Sequence, residues 1–172
     1  AADRGKNFAE KHLDKGIKLG QTTQEQKESV LSNISPTNDL NLLSDVALIV
    51  EAVFEDPKIK AEITQEVEGI IPRTCIFASN TSTLPITDLA KASSRPDQFI
   101  GIHFFSPVEK MRLVEIIRGK ETNNTAVAKA LDFVRQIKKT PIVVNDARFF
   151  YANRCIIPYI CLLYTSPSPR DE

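Results

Sequence analysis

The chain has 172 residues, 42% of them apolar and 26% charged, which places it among soluble globular proteins rather than disordered or membrane ones. Its 22 basic and 22 acidic side chains cancel, so no global field draws in nucleic acid or anionic lipid, and an anionic ligand has to be held by local groups. No apolar run approaches the roughly 18 residues that span a bilayer, and the charged amino-terminal stretch is unlike a secretory signal; neither a membrane span nor a nucleic-acid partner is expected.

In chain order, Asp3 to Lys18 scatters Phe8, Leu13 and Ile17 among charges, the pattern of an amphipathic surface helix, with Gly20 to end it. Thr22 to Leu31 reads as a second short helix with Thr23 and Glu25 near its start, and Ile34 to Asp39 as a strand or loop. The run Val46-Ala47-Leu48-Ile49-Val50 lacks polar alternation and predicts a strand buried on both faces, a parallel-sheet signal. Pro57 suits the first turn of a helix whose apolar side is Ile59, Ile63, Val67 and Ile70. A strand follows at Cys75 to Ala78, then a polar loop, Ser79 to Ser82, then a short helix at Pro85 to Ala90. Phe99 to Phe105 is the next strand. The seven residues Ser106 to Arg112 are too few for the dozen or so of a parallel crossover, so the strand Leu113 to Ile117 runs antiparallel to it. A helix over Thr125 to Ile137, a strand over Pro141 to Val144 and a new helix from Tyr151 complete the reading.

Alternating strands and helices predict an α/β fold, a doubly wound (Rossmann-type), mostly parallel sheet with an antiparallel carboxy-terminal extension. Cys75, Cys155 and Cys161 lack zinc-like spacing and suit reduced thiols, and no metal site is expected.

His12 lies among helix charges and reads as solvated. His103 closes a strand within Gly101-Ile102-His103-Phe104-Phe105-Ser106-Pro107, at a sheet end where ligand crevices form. Spacing alone leaves it either a functional residue or a hydrogen-bonded structural histidine. Glu115 sits inside Leu113-Val114-Glu115-Ile116-Ile117, where a carboxylate is costly unless paired; it either faces water on an edge strand or partners His103 across the tight connection. A histidine with a buried carboxylate is the arrangement proton transfer needs, because the carboxylate orients the ring and stabilises the imidazolium. Ser82 either caps the following helix or bonds a substrate oxygen. Glu55 and Lys60 read, on their own, as an acid preceding a helix and an exposed helix lysine.

The stretches Val50-Glu51-Ala52-Val53-Phe54-Glu55, Phe77-Ala78-Ser79-Asn80-Thr81-Ser82, Gly101 to Val108 and Leu113-Val114-Glu115 resemble, in order and spacing, the NAD domain of 3-hydroxyacyl-CoA dehydrogenases. Ser106, where asparagine is common, with Lys110, Met111 and Arg112, resembles the multifunctional fatty-acid-oxidation α-subunit branch. The resemblance implies oxidation of a (3S)-3-hydroxyacyl-CoA to the 3-ketoacyl-CoA with NAD. It implies His103 as the base, Glu115 as its partner, and Ser82 and Asn153 at the reacting part of the substrate. Val53, Phe54, Glu55, Lys60 and Ser82 would lie at the cofactor and Ser106 at the substrate. It also implies an acyl-CoA as small-molecule partner and an oligomer or a β-oxidation complex. The compartment would be the cytoplasm in a bacterium, or the mitochondrion or peroxisome in a eukaryote.

The same resemblance sets expectations for domain organisation. Residues 1–149 would be a partial NAD-binding domain without its first strand and glycine-rich turn, since the six glycines include no Gly-x-Gly pair. Residues 150–160 would begin a helical substrate and dimerisation domain. Residues 161–172 resemble translated cloning-adaptor sequence and are expected to be a non-native tail, and the chain by itself is expected to be inactive. Two other classes stand beside this one: a non-catalytic binding or structural relative of the same fold, and a related NAD-dependent hydroxy-acid dehydrogenase.

Overall fold

The structure, a computed structural model, describes residues 2–165; most of the expected tail, from Ser166 on, lies outside the described residues. The chain divides after Ser44 into two compact units. In the first, α1 (Ala2–Lys18) stops near Gly20, which takes a left-handed φ of 67° that costs glycine little. Helix α2 (Gln24–Ser32) opens on a reciprocal cap: the Thr23 hydroxyl accepts from the Gln26 amide, and the Gln26 side chain accepts from the Thr23 amide. Lys27 of α2 reaches Asp14 and Glu10 of α1 at 2.6 and 3.1 Å. The segment Ile34 to Asp39 is not a strand. Pro36 has no amide to give a ladder, while the Thr37 and Asp39 side chains take up nearby amides and start a 3-10 turn at Leu40–Leu43.

The second unit is built on a five-stranded sheet in the sequential order β1 (Leu48–Glu51), β2 (Ile76–Ser79), β3 (Phe99–Phe104), β4 (Leu113–Arg118) and β5 (Thr140–Asn145). The first three strands are parallel, β4 is antiparallel to β3, and β5 is parallel to β4. The short link after β3 therefore reverses direction as its length predicts. The long link after β4 holds α5 (Asn124–Gln136), the crossover a parallel return needs. Burial on both faces, expected of the run ending at Val50, belongs instead to β2, whose four residues are all buried. β1 ends the strand order, and its apolar residues are half-buried.

Strand alternation sorts the side chains into two sets. Ile76, Ala78, Ile100, Ile102, Val114 and Ile116 pack against Ala126, Ala130 and Val134 of α5, where the alanines let helix and sheet approach closely. The other parity holds the stacked rings of Phe77 and Phe99, 5.4 Å between centroids, then Gly101 and Ile117 under Ile86 of α4 (Ile86–Leu89). His103 and Glu115 share this second parity. Helix α4 is capped from a distance: Asp146, after β5, accepts the amides of Ile86 and Thr87 at 3.0 and 2.7 Å. Helix α3 (Pro57–Glu68) starts on Asp56, which accepts the amides of Lys58 and Ile59. Its inward side differs from the expected apolar stripe. Lys60, Thr64 and Val67 are buried and Ile59 is exposed, because Lys60 meets the buried carboxylate of Glu51.

Gly101 tests this packing. A Cβ there would stand 2.8 Å from both Ile117 Cβ and Ile86 Cδ1. Gly101→Ala should cost about 1–3 kcal/mol, seen as a lower urea midpoint at unchanged slope. An unshifted midpoint would show that the two isoleucines yield freely.

Candidate active site

Because β1, β2 and β3 are parallel, their carboxy-terminal ends lie side by side, the place where open α/β sheets leave a crevice. Polar side chains collect there in two clusters. The first is set by the β3–β4 register, which pairs His103 with Glu115. Both are buried, and His103 Nδ1 lies 2.8 Å from Glu115 Oε2. The other carboxylate oxygen accepts the amides of Tyr151 and Ala152, at 3.0 and 2.7 Å, where α6 (Ala152–Thr165) begins. Burial pushes the Glu115 carboxyl up, but the bonds from His103, Ala152 and Tyr151 outweigh it and hold it below the ordinary carboxylate range. Glu115 is thus ionised at neutral pH and can only accept. Nδ1 therefore donates, and in the neutral ring Nε2 then carries the lone pair, the form of a general base. Phe105 and Phe150 wall the ring at 4.4 and 6.0 Å between centroids.

The second cluster lies at the ends of β1 and β2. The Lys60 ammonium, only 2% exposed, donates to Glu51 Oε1 at 2.8 Å, to Glu55 Oε2 at 3.2 Å and to the Val53 carbonyl at 3.4 Å. Glu51 also accepts from the Val53 amide (2.7 Å) and the Ser79 hydroxyl (2.7 Å), so both of its oxygens are used. Glu55 is about one-third exposed, and its Oε1 accepts from the Thr81 hydroxyl at 2.6 Å and the Ser82 amide at 2.9 Å. Partial burial pushes the Glu55 carboxyl up, and the bonds from Thr81, Ser82 and Lys60 bring it below its ordinary value. What this sheet end presents outward is the Glu55 carboxylate, the exposed side chains of Val53 and Phe54, and Ser82; Lys60 stands behind them.

Two residues of α6 join the clusters. Ala152 gives its amide to Glu115, and the next residue, Asn153, donates its side-chain amide to the Ser82 carbonyl at 2.9 Å. Asn80 ties the strand ends below: its amide reaches the Glu51 carbonyl and its side chain accepts the Phe104 amide. Of the residues expected at the site, His103, Glu115, Ser82, Asn153, Val53, Phe54, Glu55 and Lys60 gather at this sheet end. Ser106 is exposed on the loop after β3 and takes no part in either network among the described residues. His12 is exposed on α1, in the other unit. Sequence reasoning gave no role to Glu51, Ser79, Asn80 or Thr81. The available signal for Glu51 was a carboxylate closing an apolar strand run, with a lysine nine positions on.

The sequence profile described as "3-hydroxyacyl-CoA dehydrogenase, NAD binding domain" matches residues 1–147. The fatty acid oxidation complex subunit alpha of Idiomarina loihiensis is 46% identical over 160 residues, covering 93% of this chain and 22% of the relative. Among solved structures, (S)-3-hydroxybutyryl-CoA dehydrogenase from Ralstonia eutropha superposes with a TM-score of 0.93 at 36% identity, covering 99% of this chain and 62% of that one. The 3-hydroxybutyryl-CoA dehydrogenase of Escherichia coli gives a TM-score of 0.89 at 26% identity, over 97% and 36%. The chain therefore spans about a fifth of the curated relative's length and under two thirds of these structures.

The lowered Glu115 carboxyl carries a pH signature. Its contribution to stability is fully present above the ordinary carboxylate pKa and is lost as pH falls through the depressed folded value. Glu115→Gln should cost about 2–3 kcal/mol at pH 7, from the loss of charge-assisted hydrogen bonds. The gap to the parent should then close on acidification. Denaturation at stepped pH checks this, and a gap that stays constant down to the acid transition would mean Glu115 folds uncharged.

Proposed function

The chain belongs to the 3-hydroxyacyl-CoA dehydrogenase family, and on that premise we propose that the whole protein oxidises a (3S)-3-hydroxyacyl-CoA to the 3-ketoacyl-CoA with NAD. The single observation that carries the reading is the buried His103–Glu115 pair, joined through Ala152 and Asn153 to Ser82 at the same sheet end. A proton acceptor and a hydroxyl are held there on separate strand ends by one helix start. A dinucleotide fits this surface chemically: Val53 and Phe54 offer apolar lining, and the Glu55 carboxylate and Ser82 offer polar contacts. When bound, NAD supplies the acceptor for the hydride that leaves C3.

The chain's own residues do the remainder. His103 Nε2 takes the hydroxyl proton as the carbonyl forms, and the Glu115 carboxylate offsets the positive charge that appears on the ring. The amides of Tyr151 and Ala152 help keep that buried carboxylate ionised, so it is already oriented when the ring charges. Ser82 sits where its hydroxyl can orient the substrate oxygen. Its loop is held from one side by Glu55 and from the other by Asn153. In the reverse direction protonated His103 returns the proton.

The Idiomarina relative is named as a subunit of a fatty acid oxidation complex. That likeness supports the proposal that the whole protein joins such an assembly, with an acyl-CoA as its small-molecule partner. No helix among the described residues is long and apolar enough to cross a membrane.

In the whole protein, His103→Gln keeps a polar side chain but removes the acceptor, and kcat should fall by about 10²-fold or more with NADH affinity nearly intact. Glu115→Gln should also act on kcat. Because the two form one unit, the double variant should lose far less than the product of the single losses. Steady-state kinetics with a 3-hydroxyacyl-CoA decides the matter. Multiplying losses, or an effect confined to NADH affinity, would remove the pair from the chemistry.

A further inference from the structure

We infer that Glu51 is a positioning residue of the cofactor site, acting through Lys60 to hold the 53–55 turn and the Glu55 carboxylate that this turn carries. The inference rests on the cofactor being bound at the sheet end described above, and adds to it a residue that does not itself face the cofactor.

The geometry leaves Glu51 little other work. Its carboxylate is buried at the last position of β1, and both oxygens are taken, by Lys60 and the Val53 amide on one side and by the Ser79 hydroxyl on the other. Three of these features converge on the turn. The Val53 amide fixes where the chain leaves β1, the Lys60 ammonium reaches the Val53 carbonyl, and the same ammonium reaches Glu55. Ser79 extends the grip to β2, whose next residues carry Thr81 and Ser82. A buried ammonium needs a buried counter-charge to stay put. Glu55, one-third exposed, farther from the ammonium and shared with Thr81 and Ser82, is the weaker counter-charge and does not serve alone. Removing the charge of Glu51 therefore frees Lys60 and lets Glu55 and the 53–55 turn drift from the place they offer a dinucleotide. The proton-transfer pair has its own partners and should be left intact.

The test measures NADH binding by fluorescence titration, alongside steady-state kinetics, in the whole protein. Glu51→Gln should raise the NADH Kd about 10-fold and leave kcat at saturating NAD within about 2-fold, with its pH profile unmoved. In a Lys60→Met background the same replacement should change the Kd by less than about 2-fold, since the glutamine carbonyl still accepts the Val53 amide and no ammonium is left for the lost charge to hold. If Glu51→Gln fails to fold, Ser79→Ala removes one of the carboxylate's anchors and should raise the Kd about 2- to 3-fold. A merely structural carboxylate would lower the melting temperature with the Kd unchanged, and that result, or a full effect in the Lys60→Met background, overturns the inference. Parent protein that binds NADH yet does not oxidise a 3-hydroxyacyl-CoA would sink the proposed activity and leave this inference standing. Parent protein that binds no NADH overturns both.

Discussion

A carboxylate with no exposed surface stays ionised only where the fold replaces the water it has lost, and the geometry around Glu115 follows from that requirement. The antiparallel return after β3 supplies one replacement, His103 Nδ1, by setting the two residues opposite each other. The other must come from backbone amides, because the strand neighbours are apolar. It comes from the first residues of α6, and the chain adopts an unusual shape to deliver it. Phe149 and Phe150 both take left-handed φ angles, 66° and 53°, each a conformation that costs a bulky residue on the order of 1 kcal/mol or more. Burial of the Phe150 ring beside His103 and two amide bonds to an ionised oxygen offset that cost.

The cluster around Lys60 solves the same problem with a different balance. One ammonium serves two carboxylates, so the group as a whole carries a negative charge, and the spread of hydroxyl and amide donors from Ser79, Thr81, Ser82 and Val53 makes that tolerable. The two carboxylates differ in what they can do. Glu51 has both oxygens engaged and is buried; Glu55 keeps a third of its surface open. A buried pair thus sets the position and an open carboxylate is available to a ligand, which is the ordinary division between the residues that hold a site and those that meet what binds there.

Much of the architecture was legible because it depends on lengths and short-range pattern. The link after β3 was too short for a parallel crossover and so gave the antiparallel return. That return allowed His103 and Glu115 to meet, but the register that pairs them, rather than leaving Glu115 facing water on an edge strand, came from the structure. What could not be read depended on contacts distant in sequence. Lys60 looks like a surface lysine because nothing in the pattern Pro57 to Glu68 reveals that Glu51 waits behind it, and its burial rotated the inward side of α3 away from Ile59. The Asp146 cap of α4 spans sixty residues, and the amides on Glu115 come from thirty-six and thirty-seven residues away. Ser106 was placed at the site by resemblance, and its exposed loop position leaves that role to a bound substrate.

The start of α6 is where these separate solutions become one site. Residues 152 and 153 are consecutive, yet one donates to the carboxylate behind His103 and the other to the loop that carries Ser82. A shift of the helix start by one residue would break both contacts together. The positions of the His103–Glu115 pair and of the Ser82 loop are therefore coupled through two consecutive residues at one helix start. That coupling gives a physical reason for the pair of left-handed phenylalanines just before it: they fix the point at which the helix begins, and with it the relation between the two clusters.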